Sequence, residues 1–413
     1  MLARQVQTRC FSTRASSAQL LRDFLHQSLY QGHTGYFGGS SLPVGTLTQP
    51  ILFNDLSSKS VYQQLLHEQY RKLQASWLTP SEIFSPHWGE AIAAYIAGQA
   101  CQANHAGPLN IIEIGGGTGR LALDILNWLR REAQPLYATA TYRSIELSPG
   151  LASVQQTKLH GDNYHRQHFQ VHRGDAMLPG SWGPASSSPC FIIMMEVLDN
   201  CPHDKVVRQG PAKGWQQVVV ARDQQGHPAE VLQPLTDDLI LECMTAASWE
   251  FPPRPWWRTQ LDSLLGGPPD GEVIFLPTTA LRLLQTICAV RPCHSIIAAD
   301  FDELPDVVIQ GLNAPLVAAT AAGVAKDFDT YLDSNLSGNC DIFFPTNFSA
   351  LSQLYHKAAG SSVQTEASHL KTSDFMTAHA DTAATRLRDG YNPLLEDFSN
   401  SSFFLAQSLQ AGH

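Results

Sequence analysis

The chain of 413 residues is short of the features that mark several large protein classes. No apolar run approaches the roughly 20 residues needed to cross a bilayer, so no membrane insertion is expected. Eight cysteines are scattered along the chain with no CxxC pair, which argues against a disulfide framework and against structural zinc. Basic residues are few: 27 Lys and Arg stand against 37 Asp and Glu, a formal net charge of -10. A surface of that sign gains nothing overall from phosphate attraction, so nucleic acid is not the expected partner. Internal repeats and low-complexity tracts are absent too. What the sequence does contain is core-forming material, with 43% hydrophobic and 9% aromatic residues. That composition describes a folded chain able to repay the entropy of ordering, and its length suits about two or three domains.

The first acid is Asp23, whereas Arg4, Arg9, Arg14 and Arg22 precede it among many serines and threonines. An Arg-rich, Ser-rich, acid-poor start has the composition of a mitochondrial transit peptide. Residues 1–16 are therefore expected to be a targeting segment, with Arg9-Cys10-Phe11-Ser12 as a processing site and the matrix as destination. Residues 17–107 read as a helical N-terminal region: 58–74 and 81–100 place apolar residues three and four apart.

From residue 108 the period changes. The stretches 109–114, 141–147, 169–177, 190–197, 215–223, 271–277 and 294–301 are strand candidates, several of them separated by helical stretches. This alternation predicts an α/β fold with a Rossmann-like parallel sheet covered on both faces, and the unbroken Cys190-Phe191-Ile192-Ile193-Met194-Met195 predicts a central strand. The expected domain covers 108–360, with a helical, Pro/Trp-rich insertion at about 236–270 and a C-terminal extension at 361–413.

The most informative stretch is Glu113-Ile114-Gly115-Gly116-Gly117-Thr118-Gly119, which ends a strand and opens a helix. Such turns receive nucleotide-like ligands in α/β sheets, and glycines let the ligand approach the backbone. The dinucleotide pattern fails because Arg120 occupies its last position, and no Gly-Lys-Ser/Thr follows for a phosphate loop. ExGxGxG is instead the pattern of class I methyltransferases that bind S-adenosylmethionine. Glu113, Gly115, Gly117 and Gly119 are therefore expected at the cofactor. Glu146, at the second strand end, would accept from the ribose hydroxyls; Asp175, followed by Ala176, would close the third strand beside the adenine. At the fourth strand end, Glu196 and Asp199 could pair with the N–H fork of a guanidinium and position it for in-line transfer; the alternative is that Glu196 is a support and Asp199 a helix cap.

Glu113 to Gly119, the 145–159 stretch and Met195-Glu196-Val197-Leu198-Asp199-Asn200-Cys201-Pro202 together resemble the MidA-type methyltransferases, the mitochondrial complex I assembly-factor arginine methyltransferases. Their Asn-Glu-x-x-Asp-Ala-x-Pro motif keeps Glu196, Asp199 and Pro202 here, with Met195 and Asn200 at the Asn and Ala positions. Residues 78–92 resemble a further family segment through Thr79, Glu82, Ile83, Gly89 and Glu90, and imply that Glu82 and Glu90 cover the substrate or cofactor. Gly338 to Ile342 match a later Gly-x-x-Asp-Ile segment, whereas the family's Asp-Tyr-Gly stands as Asp300-Phe301-Asp302. The resemblance implies a mitochondrial matrix enzyme that methylates an arginine on a protein substrate, a respiratory complex I subunit, and supports complex I assembly.

Two other readings use the same residues. The adenosyl site could serve a methyltransferase acting on RNA or a small molecule, although Asn-Pro-Pro-Tyr is absent. Alternatively the chain is a cofactor-binding assembly chaperone without activity, with Trp249, Trp256 and Trp257 as partner anchors or, more simply, core residues. His165, His168 and His172 have no metal-ligand spacing, and no metal site is expected.

Overall fold

The computed structural model describes residues 18–32, 34–38, 44–73, 77–102, 107–209, 214–249, 272–321, 324–333 and 337–409. The expected targeting segment 1–16 and the Trp256-Trp257 pair lie outside them. The N-terminal region supplies helices α1 (Leu21–Tyr30), α2 (Lys59–Leu73), α3 (Pro80–Ile83) and α4 (His87–Gln102). The main sheet then begins with β1 (Asn110–Ile114), α5 (Arg120–Glu132), β2 (Thr141–Glu146), α6 (Pro149–His160) and β3 (Phe169–Arg173). It continues with β4 (Cys190–Met195), α7 (Thr278–Val290), β5 (His294–Phe301), α8 (Phe348–Ala359), β6 (Gln364–Lys371) and β7 (Ser401–Leu409).

The strand order is β6-β7-β5-β4-β1-β2-β3. β1 to β5 pair in parallel, and β7 runs antiparallel between β5 and β6. Successive side chains on a strand point to opposite faces, and the two cores follow that rule. Ile111, Ile193, Ile297 and Phe403 join α4 and α5 on one face; Ile112, Ile192, Ile296 and Phe404 join α7 and α8 on the other. A strand buried on both sides cannot alternate polar and apolar residues, which is why β4 reads as a continuous apolar run.

Three expectations need correction. Residues 361–413 are not an extension: β6 and β7 complete the main sheet. The strand-like runs 215–223 and 271–277 do not continue the parallel array. Trp215–Arg222 and Val273–Leu276 belong to a separate antiparallel sheet with Asp204–Arg208 and Pro228–Pro234, which Gln19–Leu20 joins. Arg22 fastens the start of α1 to that sheet by an ion pair of 2.6 Å to Asp204, and to the cap of the Asp238–Ala246 helix by one of 2.7 Å to Asp237. Of the 236–270 insertion, the helix Asp238–Ala246 and half-buried Trp249 are described, and both pack against the α7/α8 core. No helix among the described residues is long and apolar enough to cross a membrane.

Candidate active site

A cleft opens at the carboxyl ends of β1, β4 and β5, where an open α/β sheet leaves room for a ligand. One wall is Glu113 and the loop Gly115 to Thr118. Val44, Thr79, Pro80 and Ser81 from the N-terminal region and Met195, Glu196, Asp300 and Phe301 from the ends of β4 and β5 line the cleft as well. The loop needs its glycines for different reasons. Gly119 adopts φ +75° as the residue that starts α5, and an added Cβ would press on Gln155 at 3.3 Å. Gly117, at φ +53°, has no atom within 4 Å of where its Cβ would stand. Its bare face is therefore the loop's open side.

Glu113 is buried beside the loop and accepts a 2.9 Å hydrogen bond from the Tyr142 hydroxyl. Burial pushes its carboxyl up to about 7 against the opposing pull of that bond. Glu146 is also buried. Its oxygens accept from Ser148 N–H at 2.9 Å and from the Gln155 amide at 3.0 Å, and burial pushes it to about 7. The same Gln155 amide nitrogen donates to the Gly117 carbonyl at 3.0 Å, so one side chain fixes both the second-strand acid and the loop.

At the other end of the cleft four carboxylates converge: Glu196, Asp199, Asp300 and Asp341. Their bonding divides them. Asp300 Oδ2 accepts the backbone N–H of Leu198 at 2.8 Å and of Asp199 at 3.1 Å, and Oδ1 accepts that of Phe301 at 2.8 Å. Asp341 Oδ1 accepts the Asn200 amide at 2.9 Å. These two acids shape the turn after β4. Asp199 Oδ1, by contrast, is buried without a hydrogen-bond partner, and the Glu196 carboxylate faces the cleft. No ion pair to any of the four forms among the described residues. Burial, then Asp300 and Asp341, push Glu196 up to about 8; burial, then Asp300 and Glu196, push Asp199 well above the carboxylate range. Burial alone leads the rise of Asp300 and of Asp341 to about 7.

Glu196 itself sits at φ +52°, a left-handed backbone that a non-glycine residue adopts at a cost of about 1–2 kcal/mol. Its N–H donates to the Ala299 carbonyl at 2.9 Å, tying the β4 end to β5. The turn Leu198 to Cys201 leads to a strand, so Asp199 has no helix to cap.

The structure thus brings Glu113, Gly115, Gly117 and Glu196 to one cleft, with Asp199 buried at its acidic end. Gly119, Glu146, Asp175 and Ala176 do not line it. Asp175 is half-buried and caps its own turn through Met177 N–H at 2.8 Å, and Ala176 is buried in the α7/α8 core. Glu82 is 1% exposed and belongs to the glycine loop's supports rather than to a cover. Glu90 is displaced altogether, ion-paired with Arg131 at 2.8 Å. Arg131 lies eleven residues beyond Arg120 on α5, about 16 Å along the axis from the loop. The helical period at 81–100 placed Glu90 on a face turned away from the cleft. The sequence gives Asp300, Asp341, Thr118 and Gln155 no role at the site; each is a buried polar residue, and burial is not visible in a short motif. His165 is buried between Tyr137 and Asn127, with hydrogen bonds of 2.9 and 3.0 Å.

Residues 91–367 match the family model described as "Putative S-adenosyl-L-methionine-dependent methyltransferase". The chain belongs to this methyltransferase family. A Schizosaccharomyces pombe protein named protein arginine methyltransferase NDUFAF7 homolog, mitochondrial, is 30% identical over 251 residues, covering 54% of this chain and 48% of that protein. The aligned stretch is therefore about half the length of this relative. Among solved structures, a Burkholderia thailandensis protein bound to S-adenosyl-homocysteine superposes with a TM-score of 0.62 at 16% identity, over 94% of this chain and 88% of that one. A native crystal structure of a protein from the same organism gives 0.58 at 16% identity, over 95% and 87%. At that identity the likeness is one of fold, and it extends over nearly the whole methyltransferase chain. The family's cofactor, S-adenosyl-L-methionine, fits what the loop presents: a cradle at Gly117 that any side chain would begin to fill, with a carboxylate beside it.

Proposed function

We propose that this methyltransferase transfers a methyl group to a protein arginine in the mitochondrial matrix, that its acceptor is a subunit of respiratory complex I, and that it supports assembly of that complex. The observation that carries the reading is the pair formed by the buried, unpartnered Asp199 Oδ1 and the half-buried Glu196 carboxylate in the cleft, while Asp300 and Asp341 are spent on the scaffold. A guanidinium is planar, permanently charged and forked, so two carboxylates can pair with it and fix its orientation. A neutral acceptor would supply no charge to ionise these acids, which burial and their mutual repulsion otherwise hold towards the protonated form. The printed name of the Schizosaccharomyces pombe relative, a mitochondrial arginine methyltransferase, supports the same acceptor and compartment.

In this reading Glu113, Gly115 and Gly117 hold the cofactor, Gly119 starts the helix behind it, and Glu146 faces the loop through the Gln155 bridge. Bound S-adenosyl-L-methionine supplies an electrophilic methyl group on sulfonium sulfur. The chain's own residues do the rest by positioning. Asp199 and Glu196 accept N–H bonds from the guanidinium and hold one nitrogen towards the loop. Glu196, pushed to about 8, takes the proton that this nitrogen loses. Trp88, Phe301 and Phe398 help to exclude water along the cleft.

The test is to incubate the protein with methyl-labelled cofactor and mitochondrial extract and identify the modified residue. Label on a protein arginine is expected, and label confined to RNA or metabolites contradicts the proposal.

A further inference from the structure

Glu82 lies in the N-terminal region, 36 residues from Thr118 in sequence, yet it is buried against the glycine loop. Its Oε1 accepts a hydrogen bond from the Thr118 hydroxyl. Its Oε2 accepts from the Leu47 N–H at 3.2 Å and stands 3.5 Å from Arg120 Nε. Lys158 on α6 completes the knot, with Nζ 3.7 Å from Glu82 Oε1 and 3.3 Å from the Thr118 hydroxyl. Arg120 also donates to the Leu47 carbonyl at 3.3 Å. One carboxylate therefore joins four parts of the chain: Leu47, α3, the glycine loop with the start of α5, and α6. Burial lowers Lys158, and Glu82 is the leading charge that opposes it, as expected of a pair whose members depend on each other.

The segment fastened in this way also contributes to the lining of the cleft. Val44, Thr79, Pro80 and Ser81 line the same cleft as Gly115 to Thr118, and Pro80 and Ser81 immediately precede Glu82. Removing one partner from a buried, hydrogen-bonded charge leaves the others uncompensated, so such a knot is held together or lost as a unit.

We propose that Glu82 is a positioning residue that latches residues 44–73 and 77–83 to the glycine loop, so that docking of these residues and cofactor binding are one coupled equilibrium. Linkage makes the coupling reciprocal: whatever the docked segment contributes to cofactor affinity, the bound cofactor returns to the segment. This rests on the cofactor reading of the loop and is independent of whether the acceptor is arginine.

The experiment uses the full chain with S-adenosyl-homocysteine as the probe. Calorimetry is expected to show affinity reduced at least about tenfold in Glu82→Ala, the scale of a lost hydrogen bond to a charged group. Glu82→Gln, which keeps an acceptor for Thr118 but drops the charge, should fall between it and the wild type. Thr118→Val removes the other side of the contact and serves if Glu82→Ala fails to fold. Amide hydrogen exchange supplies a readout that a merely structural residue would not move. Saturating S-adenosyl-homocysteine should slow exchange across 44–73 and 77–83 in the wild type, and should lose that effect in Glu82→Gln at saturation. Folded variants with wild-type affinity, or wild-type exchange across 44–73 and 77–83 that ignores the ligand, overturn the latch. A wild-type chain that binds no S-adenosyl-homocysteine overturns the cofactor reading itself.

Discussion

The side-chain amide of Asn200 donates to Asp341 Oδ1 at 2.9 Å, while the adjacent Asp199 keeps a buried oxygen without a partner. Asn200 thus takes up the charge of one acid of the cluster and leaves its neighbour's available. Asn200→Ala removes that bond, so Asp341 becomes harder to ionise and the site binds a cation less well. KM for an arginine-containing peptide should rise about fivefold to tenfold, the scale of one hydrogen bond to a charged group, with kcat changed little. Steady-state kinetics check this; an unchanged KM removes Asn200 from the site.

Asp199→Asn separates charge from shape. The substitution keeps the side-chain volume and removes a buried, uncompensated carboxylate, so thermal stability at pH 8 should hold or rise. Methyl transfer should nevertheless fall by at least about tenfold, because a guanidinium needs the charge. Thermal melts and initial rates on the same preparations decide it: lower stability with full activity would make Asp199 a structural residue.

Gly117→Val tests the cradle. The position is open but has φ +53°, so a branched side chain both strains the backbone and occupies the ligand's space. Calorimetry with S-adenosyl-homocysteine should show no measurable binding. Equal affinity in variant and wild type would move the cofactor elsewhere.

The buried acids set a stability profile whose sign is fixed. Glu113, Glu146, Asp300 and Asp341 at about 7 and Glu196 at about 8 all lie above their unfolded values. Between about pH 5 and 8 the folded chain holds more protons than the unfolded one, so these groups make stability fall as pH rises. Urea denaturation at pH 5.5 and pH 8 checks it, with the higher midpoint expected at pH 5.5. A higher midpoint at pH 8 would show that these carboxylates are already compensated by partners.

Much of this was legible in the sequence because a parallel sheet writes itself plainly. β1, β4 and β5 are short, mainly apolar runs, and the glycines after Glu113 mark the turn where the first one ends. Glu196 and Asp199 could be singled out because they follow the most buried strand. The limits have physical causes. Trp215–Arg222 reads as another parallel strand because pairing direction leaves no local trace when the apolar run is similar. β6 alternates weakly, and its partner β7 is recruited from 401–409, so neither announces membership of the sheet. Glu82 and Asp300 act through contacts spanning 36 and about 100 residues, which no window along the chain contains. Glu90 shows the reverse error: beside Glu82 in a motif, it lies on another face of the molecule.

The most direct test of the account is single-turnover methyl transfer to an arginine-containing acceptor by Glu196→Gln, with cofactor occupancy first verified by calorimetry. The account expects wild-type cofactor affinity and a transfer rate reduced at least about a hundredfold, the scale of losing a positioned proton acceptor. Transfer at the wild-type rate from the occupied variant would contradict it.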